Sequence, residues 1–252
     1  MMKTALVTGA TSGIGMAIAR RFAREGKRLI ICGRRENVLN EFAAELSNLT
    51  DVKSLIFDVR DSEAVKTALS SLQEPFCNID ILVNNAGNAH GLDTLADGDT
   101  ADWDAMMDGN VKGLLYVSKA VLAGMKARKS GQIINISSVA ARQTYANGVV
   151  YCASKKAVDV ISEGMRIELT EFGIKVCNIQ PGAVATDFSK IRFKGDEERA
   201  ATVYHGYEAL LAEDIADIVS YVVNAPERVS IAEIAVFPKA QAEPRMIYRE
   251  LH

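Results

Sequence analysis

Short aliphatic runs alternate with longer amphipathic stretches along the whole chain, and this alternation is the strongest constraint on its fold. A strand that is apolar throughout needs cover on both faces, as in a parallel sheet built from βαβ units. We therefore predict an α/β fold, with a doubly wound seven-stranded parallel sheet and helices on both faces. The predicted strands centre on residues 5–7, 29–31, 55–57, 81–83, 133–136, 176–179 and 231–236.

The size and organisation of the chain indicate one domain. At 252 residues, 48% of them hydrophobic, the chain is long enough to bury a full core. No repeat, low-complexity tract or flexible linker divides it, so we predict a single domain over residues 1–252. The segment at about 187–210 breaks the alternation and is predicted to be a lid, and a polar C-terminal tail is predicted at about 238–252.

Charge and cysteine usage exclude several classes of function. A net charge of −3 provides no basic field for nucleic acid. The four cysteines form no C-x-x-C pair and only three histidines accompany them, so we predict reduced thiols and no metal site. The first apolar run stops at Thr8 and Gly9, too short for a signal sequence or a membrane span, which favours a cytoplasmic protein.

A glycine-rich turn separates the first predicted strand from the helix that follows it. Gly9, Gly13 and Gly15 allow close approach to a phosphate group, and the positive end of the following helix favours an anion. The turn, with Thr11 and Ser12 between the glycines, predicts a phosphate cradle. Its spacing differs from the G-x-G-x-x-G fingerprint, and the alternative is a tight turn that binds nothing.

Two arginines follow the second predicted strand, where an NAD enzyme usually presents a carboxylate to the adenosine ribose. A guanidinium at Arg34, with Arg35 beside it, can instead form charge-assisted hydrogen bonds to a 2′-phosphate. The sequence therefore favours NADP over NAD. The alternative is a solvated arginine pair.

Tyr151 and Lys155 are four residues apart in a predicted helix and therefore project from one face. A phenol titrates near pH 10 and is a poor base at neutral pH unless a nearby cation stabilises the phenolate. Lys155 is the candidate cation. This spacing is also common on ordinary helix surfaces. The pair therefore indicates a catalytic site only in combination with the other motifs.

Several motifs follow one another in a fixed order along the chain: the glycine turn, Asn84-Asn85-Ala86-Gly87, Ser138, Tyr151-x-x-x-Lys155 and Pro181-Gly182. This ordered combination resembles the short-chain dehydrogenase/reductase family, and the resemblance covers essentially the whole chain. The resemblance implies a single-domain Rossmann fold that moves a hydride between a nicotinamide and a hydroxylated substrate. It also implies Tyr151 as acid/base, Ser138 as the hydroxyl that orients the reacting oxygen, Asn110 as a link in a proton relay, and Ser137 as structural. The cofactor contacts that it implies are Ile14, Asp58, Val59, Asn84, Ala86, Gly87, Tyr151, Lys155, Pro181, Gly182, Val184 and Thr186.

Three further blocks, 147–155, 186–196 and 237–242, resemble NADP-dependent 3-hydroxy acid dehydrogenases, which act on serine, allo-threonine and related acids. The resemblance also implies a homotetramer. Arg192 and Lys194 are candidates to bind a carboxylate, and Arg192 is favoured because its planar fork binds bidentately. The alternative is that both are solvated charges. Gln143 and Tyr145 are candidates to line the substrate pocket, or else to pack beneath the lid.

Two other functions remain open from the sequence. A carbonyl or 3-oxoacyl carrier reductase would use the same catalytic residues on a different substrate. A non-catalytic NADP-sensing module would normally show a broken serine, tyrosine or lysine, but Ser138, Tyr151 and Lys155 are all intact.

Overall fold

The computed structural model describes residues 2–250 and contains one seven-stranded sheet in the order β3-β2-β1-β4-β5-β6-β7. Every pair of neighbouring strands is parallel, which confirms the predicted α/β architecture. The strands are β1 Thr4–Thr8, β2 Arg28–Gly33, β3 Val52–Ile56, β4 Ile81–Asn84, β5 Gly131–Ile136, β6 Ile174–Pro181 and β7 Glu233–Val236.

Nine α-helices are found within the described residues. A π-helical turn at Asp108–Lys112 joins the fourth and fifth of them into one continuous helical segment. Short 3₁₀ turns follow β5 at Val139–Ala141 and the long sixth helix at Thr170–Phe172. The helices are α1 Gly13–Arg24, α2 Glu36–Leu46, α3 Ser62–Ser70, α4 Thr100–Met107, α5 Gly113–Arg128, α6 Val149–Leu169, α7 Phe188–Arg192, α8 Glu197–Thr202 and α9 Ala212–Val223.

The sheet is covered on both faces because successive residues of its central strands point in opposite directions. Val7 and Ile31 pack with α1, α2 and α9 on one face. Leu6 and Ile30 pack with α3, α5 and α6 on the other. Each of these fully buried aliphatic side chains contributes about 1.5–3 kcal/mol, so the continuous apolar runs in the sequence follow from the two-sided cover.

Strand β3 begins three residues before its predicted start at residue 55. Its first residues, Val52, Lys53 and Ser54, pair in register with β2 although they are polar or only half-buried. The strand lies at the edge of the sheet, where one side and part of each face contact solvent, so an aliphatic run is not required there.

Helices α1 and α9 are joined by a hydrogen-bonded carboxylate at the end of α1. Glu25 accepts hydrogen bonds from Lys27 and from Ser220 of α9, and it forms a salt bridge with Arg21 of 2.7 Å. Burial raises the pKa of Glu25, but these hydrogen bonds outweigh it and lower the pKa to about 2. The carboxylate therefore remains charged and holds the two helices together at neutral pH.

The 187–210 segment carries two short helices, α7 and α8, and rejoins the sheet region through a parallel bridge between Val184 and Leu210. The C-terminal tail folds back against this segment. The Glu250 amide donates to the Gly206 carbonyl at 2.8 Å, and the Tyr248 amide donates to the Ala240 carbonyl at 2.8 Å. The tail and the 187–210 segment thus form one layer beyond the carboxyl edge of the sheet.

Candidate active site

A cleft of about 1100 Å³ runs along the carboxyl edge of the sheet. It crosses the gap between β1 and β4, where the strand order reverses, and this is where ligands bind in open α/β sheets. Most of the residues selected from the sequence line it. They are Gly9, Thr11, Ser12, Gly13, Ile14, Arg34, Arg35, Asp58, Val59, Ala86, Gly87, Ser138, Tyr145, Tyr151, Lys155, Pro181, Gly182, Val184, Thr186 and Arg192.

The glycine turn forms a cradle that a side chain would fill. Gly9 has φ +65°, and a Cβ there would lie 2.9 Å from the Cα of Ala86. Gly13 has φ +52°, and its Cβ would lie 3.3 Å from Thr186 on the opposite wall. Ser12 precedes α1 without capping it, so the first amides of that helix are available to an anion. These features fit the pyrophosphate of a dinucleotide.

Two residues that the sequence analysis did not select hold the cradle against β4. The Thr8 hydroxyl accepts hydrogen bonds from the amides of Asn85 and Ala86, both at 2.9 Å. The Asn85 side chain donates to the Thr8 carbonyl at 2.9 Å and to the Gly9 carbonyl at 3.2 Å. Thr8 therefore binds backbone amides that follow β4, and Asn85 binds backbone carbonyls at the start of the glycine turn. The polar residue at each strand end was the available sequence signal.

A cluster of cations lies at the end of β2. Arg35 donates to the hydroxyl and carbonyl of Thr11 at 2.9 and 3.1 Å, while Arg34 is exposed and its nearest carboxylate oxygen, on Asp58, is 3.5 Å away. Asp58 is held instead by Arg60 at 2.7 Å, a residue that the sequence analysis missed. Burial raises the pKa of Asp58, but the bonds from Arg60 and the charge of Arg34 outweigh it and hold the pKa below its ordinary value. The Arg34 guanidinium is therefore the cation most available to a phosphate here.

Tyr151, Ser138 and Lys155 are brought together by α6 and by the loop after β5. Tyr151 and Lys155 are both buried on one face of α6, as their spacing predicts. The Ser138 hydroxyl accepts from the Ala140 amide at 3.1 Å and lies 3.5 Å from the Pro181 carbonyl. The neighbouring Ser137 hydroxyl lies 3.0 Å from the Lys155 carbonyl and 2.9 Å from the Asp159 carboxylate. Ser137 therefore contacts the supporting structure of α6 rather than Tyr151.

Burial dominates the ionisation of both α6 residues. It raises the pKa of Tyr151 above its usual value, whereas the Ser138 hydroxyl and the Arg192 guanidinium act in the opposite direction. Burial also lowers the pKa of Lys155 to about 8, although the charge of Asp159 opposes this shift. The Lys155 ammonium donates to the Ile136 carbonyl at 3.0 Å, which fixes its position in the cleft.

Asn110 lies in the π-helical turn, and its side chain is fully engaged by protein groups. Its Oδ1 accepts from the Asn88 amide at 2.7 Å, and its Nδ2 donates to the Asn88 carbonyl at 2.8 Å and to Ser154 at 3.0 Å. A Cβ at Gly87 would lie 2.8 Å from this Oδ1 and 3.5 Å from the Lys155 ammonium. The side chain of Asn110 thus supports the wall beside Lys155, and π-helical turns of this kind are frequent at functional sites.

Three other selected residues lie elsewhere than the sequence analysis expected. Gly15 packs beneath the cradle, where a Cβ would overlap the Gly9 carbonyl. Asn84 is buried under the cleft and donates to Ser118 and Asn135, both at 2.9 Å. Gln143 is exposed and does not line the cleft. The cofactor contact expected of Asn84 and the substrate contact expected of Gln143 are therefore not formed by these side chains.

The two candidate cations of the 187–210 segment are in different environments. Lys194 is exposed and pairs with Asp102 at 3.0 Å, which raises its pKa. Arg192 is half-buried in the cleft, and its guanidinium lies 5.4 Å from the centre of the Tyr151 ring. It donates to the Gly91 carbonyl at 3.2 Å and to the Tyr145 hydroxyl at 3.1 Å. Of the two cations, Arg192 is the one that lies beside Tyr151 in the cleft.

This fold and site define a class of protein. The family model described as short chain dehydrogenase matches residues 3–197, and the chain therefore belongs to that family. None of the helices within residues 2–250 is long and apolar enough to cross a membrane. Those residues also contain no group of three His, Cys, Asp or Glu side chains placed to hold a metal ion.

Individual relatives extend over nearly the whole chain. An NADP-dependent 3-hydroxy acid dehydrogenase of Escherichia coli strain K12 is 42% identical over 94% of this chain and 95% of its own length. Sulfoacetaldehyde reductase 2 of Chromohalobacter salexigens is 40% identical over 96% of both chains. The solved closed form of a serine dehydrogenase complexed with NADP+ is 40% identical and covers 98% of this chain and 100% of its own, with a TM-score of 0.92.

Proposed function

We propose that this protein is an NADP-dependent dehydrogenase that interconverts a small 3-hydroxy acid, such as serine, allo-threonine or 3-hydroxypropionate, and its 3-oxo product. The observation that carries the proposal is the position of Arg192. Its guanidinium carbon lies 5.4 Å from the centre of the Tyr151 ring, in the cleft that also contains the glycine cradle. A guanidinium at this distance can hold a carboxylate while the hydroxyl of a short substrate reaches the phenol.

When bound along the cleft, NADP would supply the acceptor for the hydride that leaves C3 of the substrate in the oxidation. The Tyr151 phenolate accepts the hydroxyl proton, so one proton and one hydride leave the substrate together. Ser138 donates a hydrogen bond to the reacting oxygen. Because burial raises the pKa of Tyr151, its phenolate needs nearby cations; Arg192 lowers that pKa, and we propose that the buried Lys155 ammonium adds to this effect. Arg34 would hold the 2′-phosphate of the cofactor at the other end of the cleft.

The layer formed by the 187–210 segment and the tail is consistent with the assignment of a small substrate. Residues of both segments line the far end of the cleft, which favours a short acid over the bulky carrier of a 3-oxoacyl carrier reductase. We propose that the 187–210 segment acts as the lid of this end. The homotetramer and the cytoplasmic location expected from the sequence remain predictions.

Absorbance of the nicotinamide tests the proposal. Purified protein is offered NADP or NAD with serine, allo-threonine, 3-hydroxypropionate or 3-hydroxybutyrate. An uncharged alcohol of similar size and, in the reductive direction with NADPH, a 3-oxoacyl thioester are the competing substrates. We expect turnover with NADP and the acids, and a loss of kcat of about 10²-fold to 10⁴-fold in Tyr151→Phe. Turnover of the uncharged alcohol or the thioester in preference to the acids would contradict the substrate assignment.

A further inference from the structure

The cleft is strongly positive although the whole chain is acidic. Eight arginine and lysine residues line it, against two aspartates, while the chain carries a net charge of −3. Arg34, Arg35 and Arg60 lie at the end that fits the cofactor phosphates, and Lys155 lies beside Tyr151. The remaining four line the substrate end of the cleft and need a separate account. They are Arg192, Arg199, Arg245 and Arg249.

Two of these four arginines, Arg249 and Arg199, are engaged in contacts with other groups of the protein. Arg249 donates to the carbonyls of Val203 at 3.1 Å and His205, and its guanidinium lies 5.1 Å from the ring of Tyr207. It therefore fastens the tail to the 187–210 segment. The Arg199 guanidinium lies 4.4 Å from the ring of Phe193.

Arg192 and Arg245 differ from that pair because they converge on one aromatic ring. Each guanidinium carbon lies 5.7 Å from the centre of the Tyr145 ring. Tyr145 is a rigid platform, since its ring packs so closely on Gly148 that a Cβ there would overlap it. Within residues 2–250, neither arginine forms a salt bridge. An anion bound between these two arginines would be attracted by both charges.

We infer that Arg245 of the tail is a second anion-binding residue, which with Arg192 receives the acid group of the substrate beside the Tyr145 ring. The inference rests on the proposed function and assigns the tail a direct part in substrate selection. Arg192 is fixed by its bonds to Gly91 and Tyr145, whereas Arg245 is exposed and has side-chain donors to spare. Arg192 therefore sets the position of the acid group, and Arg245 adds charge and closes the anion site from the tail.

Steady-state kinetics of Arg245→Gln test this inference, with Arg228→Gln as the matched control. Arg228 is an exposed arginine outside the cleft lining. We expect Arg245→Gln to raise KM for the hydroxy acid by about 10-fold, with kcat and the KM for an uncharged alcohol little changed. Arg245→Glu should raise the KM for the acid further, and Arg245→Lys should restore part of the loss. Thermal unfolding of each variant confirms that it is folded.

The outcomes separate this inference from the proposed function. If the unmodified enzyme oxidises hydroxy acids and Arg245→Gln changes their KM no more than Arg228→Gln does, the inference fails and the proposed function stands. An equal rise in KM for the acid and the uncharged alcohol also overturns it, because Arg245 would then shape the cleft without binding the anion. If the unmodified enzyme oxidises only uncharged alcohols, both proposals fail.

Discussion

Replacing Arg34 with alanine is expected to weaken the binding of NADP while leaving the binding of NAD unchanged. Arg34 lies at the end of β2 and its side chain is 61% exposed. Its contact with Asp58 is long, at 3.5 Å, and Asp58 keeps its 2.7 Å salt bridge with Arg60 after the substitution. The folded state therefore loses little, and we expect the free energy of unfolding to change by less than about 0.5 kcal/mol.

The size of the effect follows from the exposure of Arg34. A hydrogen bond between charged groups contributes about 1.5–3 kcal/mol, and solvent screening at this position reduces it to about 1–2 kcal/mol. This corresponds to a rise of about 5-fold to 30-fold in KM for NADP. NAD lacks the 2′-phosphate, so its KM should change by less than about 2-fold.

Arg35→Ala provides the matched comparison, because Arg35 holds the cradle itself through its bonds to Thr11. It should raise KM for both cofactors by similar factors. Initial rates with NADP and NAD at saturating substrate, measured for the unmodified enzyme and both variants, separate the two roles. An Arg34→Ala variant that loses affinity equally for both cofactors would refute the assignment of Arg34 to the 2′-phosphate.

Three further substitutions test other parts of the structure. Lys194→Gln removes the salt bridge with Asp102, and because the Lys194 side chain is exposed we expect KM for the acid to rise by no more than about 5-fold with kcat unchanged; a large fall in kcat would contradict this. Glu25→Gln should lower the free energy of unfolding in urea by about 1–2 kcal/mol at pH 7. Since the pKa of Glu25 is about 2 in the folded protein and that of a free glutamate is 4.5, the difference should shrink as the pH falls from 4.5 toward 2, and a constant difference would count against it. Lys155→Met should abolish turnover yet stabilise the cofactor-free protein at pH 7 by about 1–2 kcal/mol, because burial of the ammonium lowers its pKa from 10.5 to about 8; a lower midpoint of thermal unfolding would show this reasoning to be wrong.

The placement of Ser138, Tyr151 and Lys155 in one cleft could be predicted because their arrangement is mostly local. Tyr151 and Lys155 share one helix face through their spacing alone, and Ser138 follows a strand that the sequence analysis placed correctly. The glycine cradle and Arg34 likewise lie at the ends of adjacent strands. The carboxyl ends of parallel strands lie at one edge of the sheet, so motifs that directly follow these strands in the sequence are expected to lie close together in the fold.

The side chains that were misplaced depend on details that the sequence leaves open. Adjacent residues at a strand end point to opposite faces, so whether Asn84 or Asn85 reaches the cradle depends on the phase of β4. Gln143 follows a 3₁₀ turn whose direction is set by packing. Arg245 reaches Tyr145 only because the tail folds back over the 187–210 segment. No local pattern specifies that path.

The π-helical turn at Asp108–Lys112 makes the site sensitive to the deletion of a single residue, a change that amino-acid substitutions do not test. A π-helical turn contains one residue more than the α-helical turn that it replaces. Loss of a single codon in this stretch would let α4 and α5 merge into one regular α-helix and would remove the wide turn from which the Asn110 side chain projects. Asn110 could then no longer meet Asn88 and Ser154 together. A one-codon deletion in the gene is therefore enough to dismantle the wall beside Lys155 while leaving every catalytic side chain encoded.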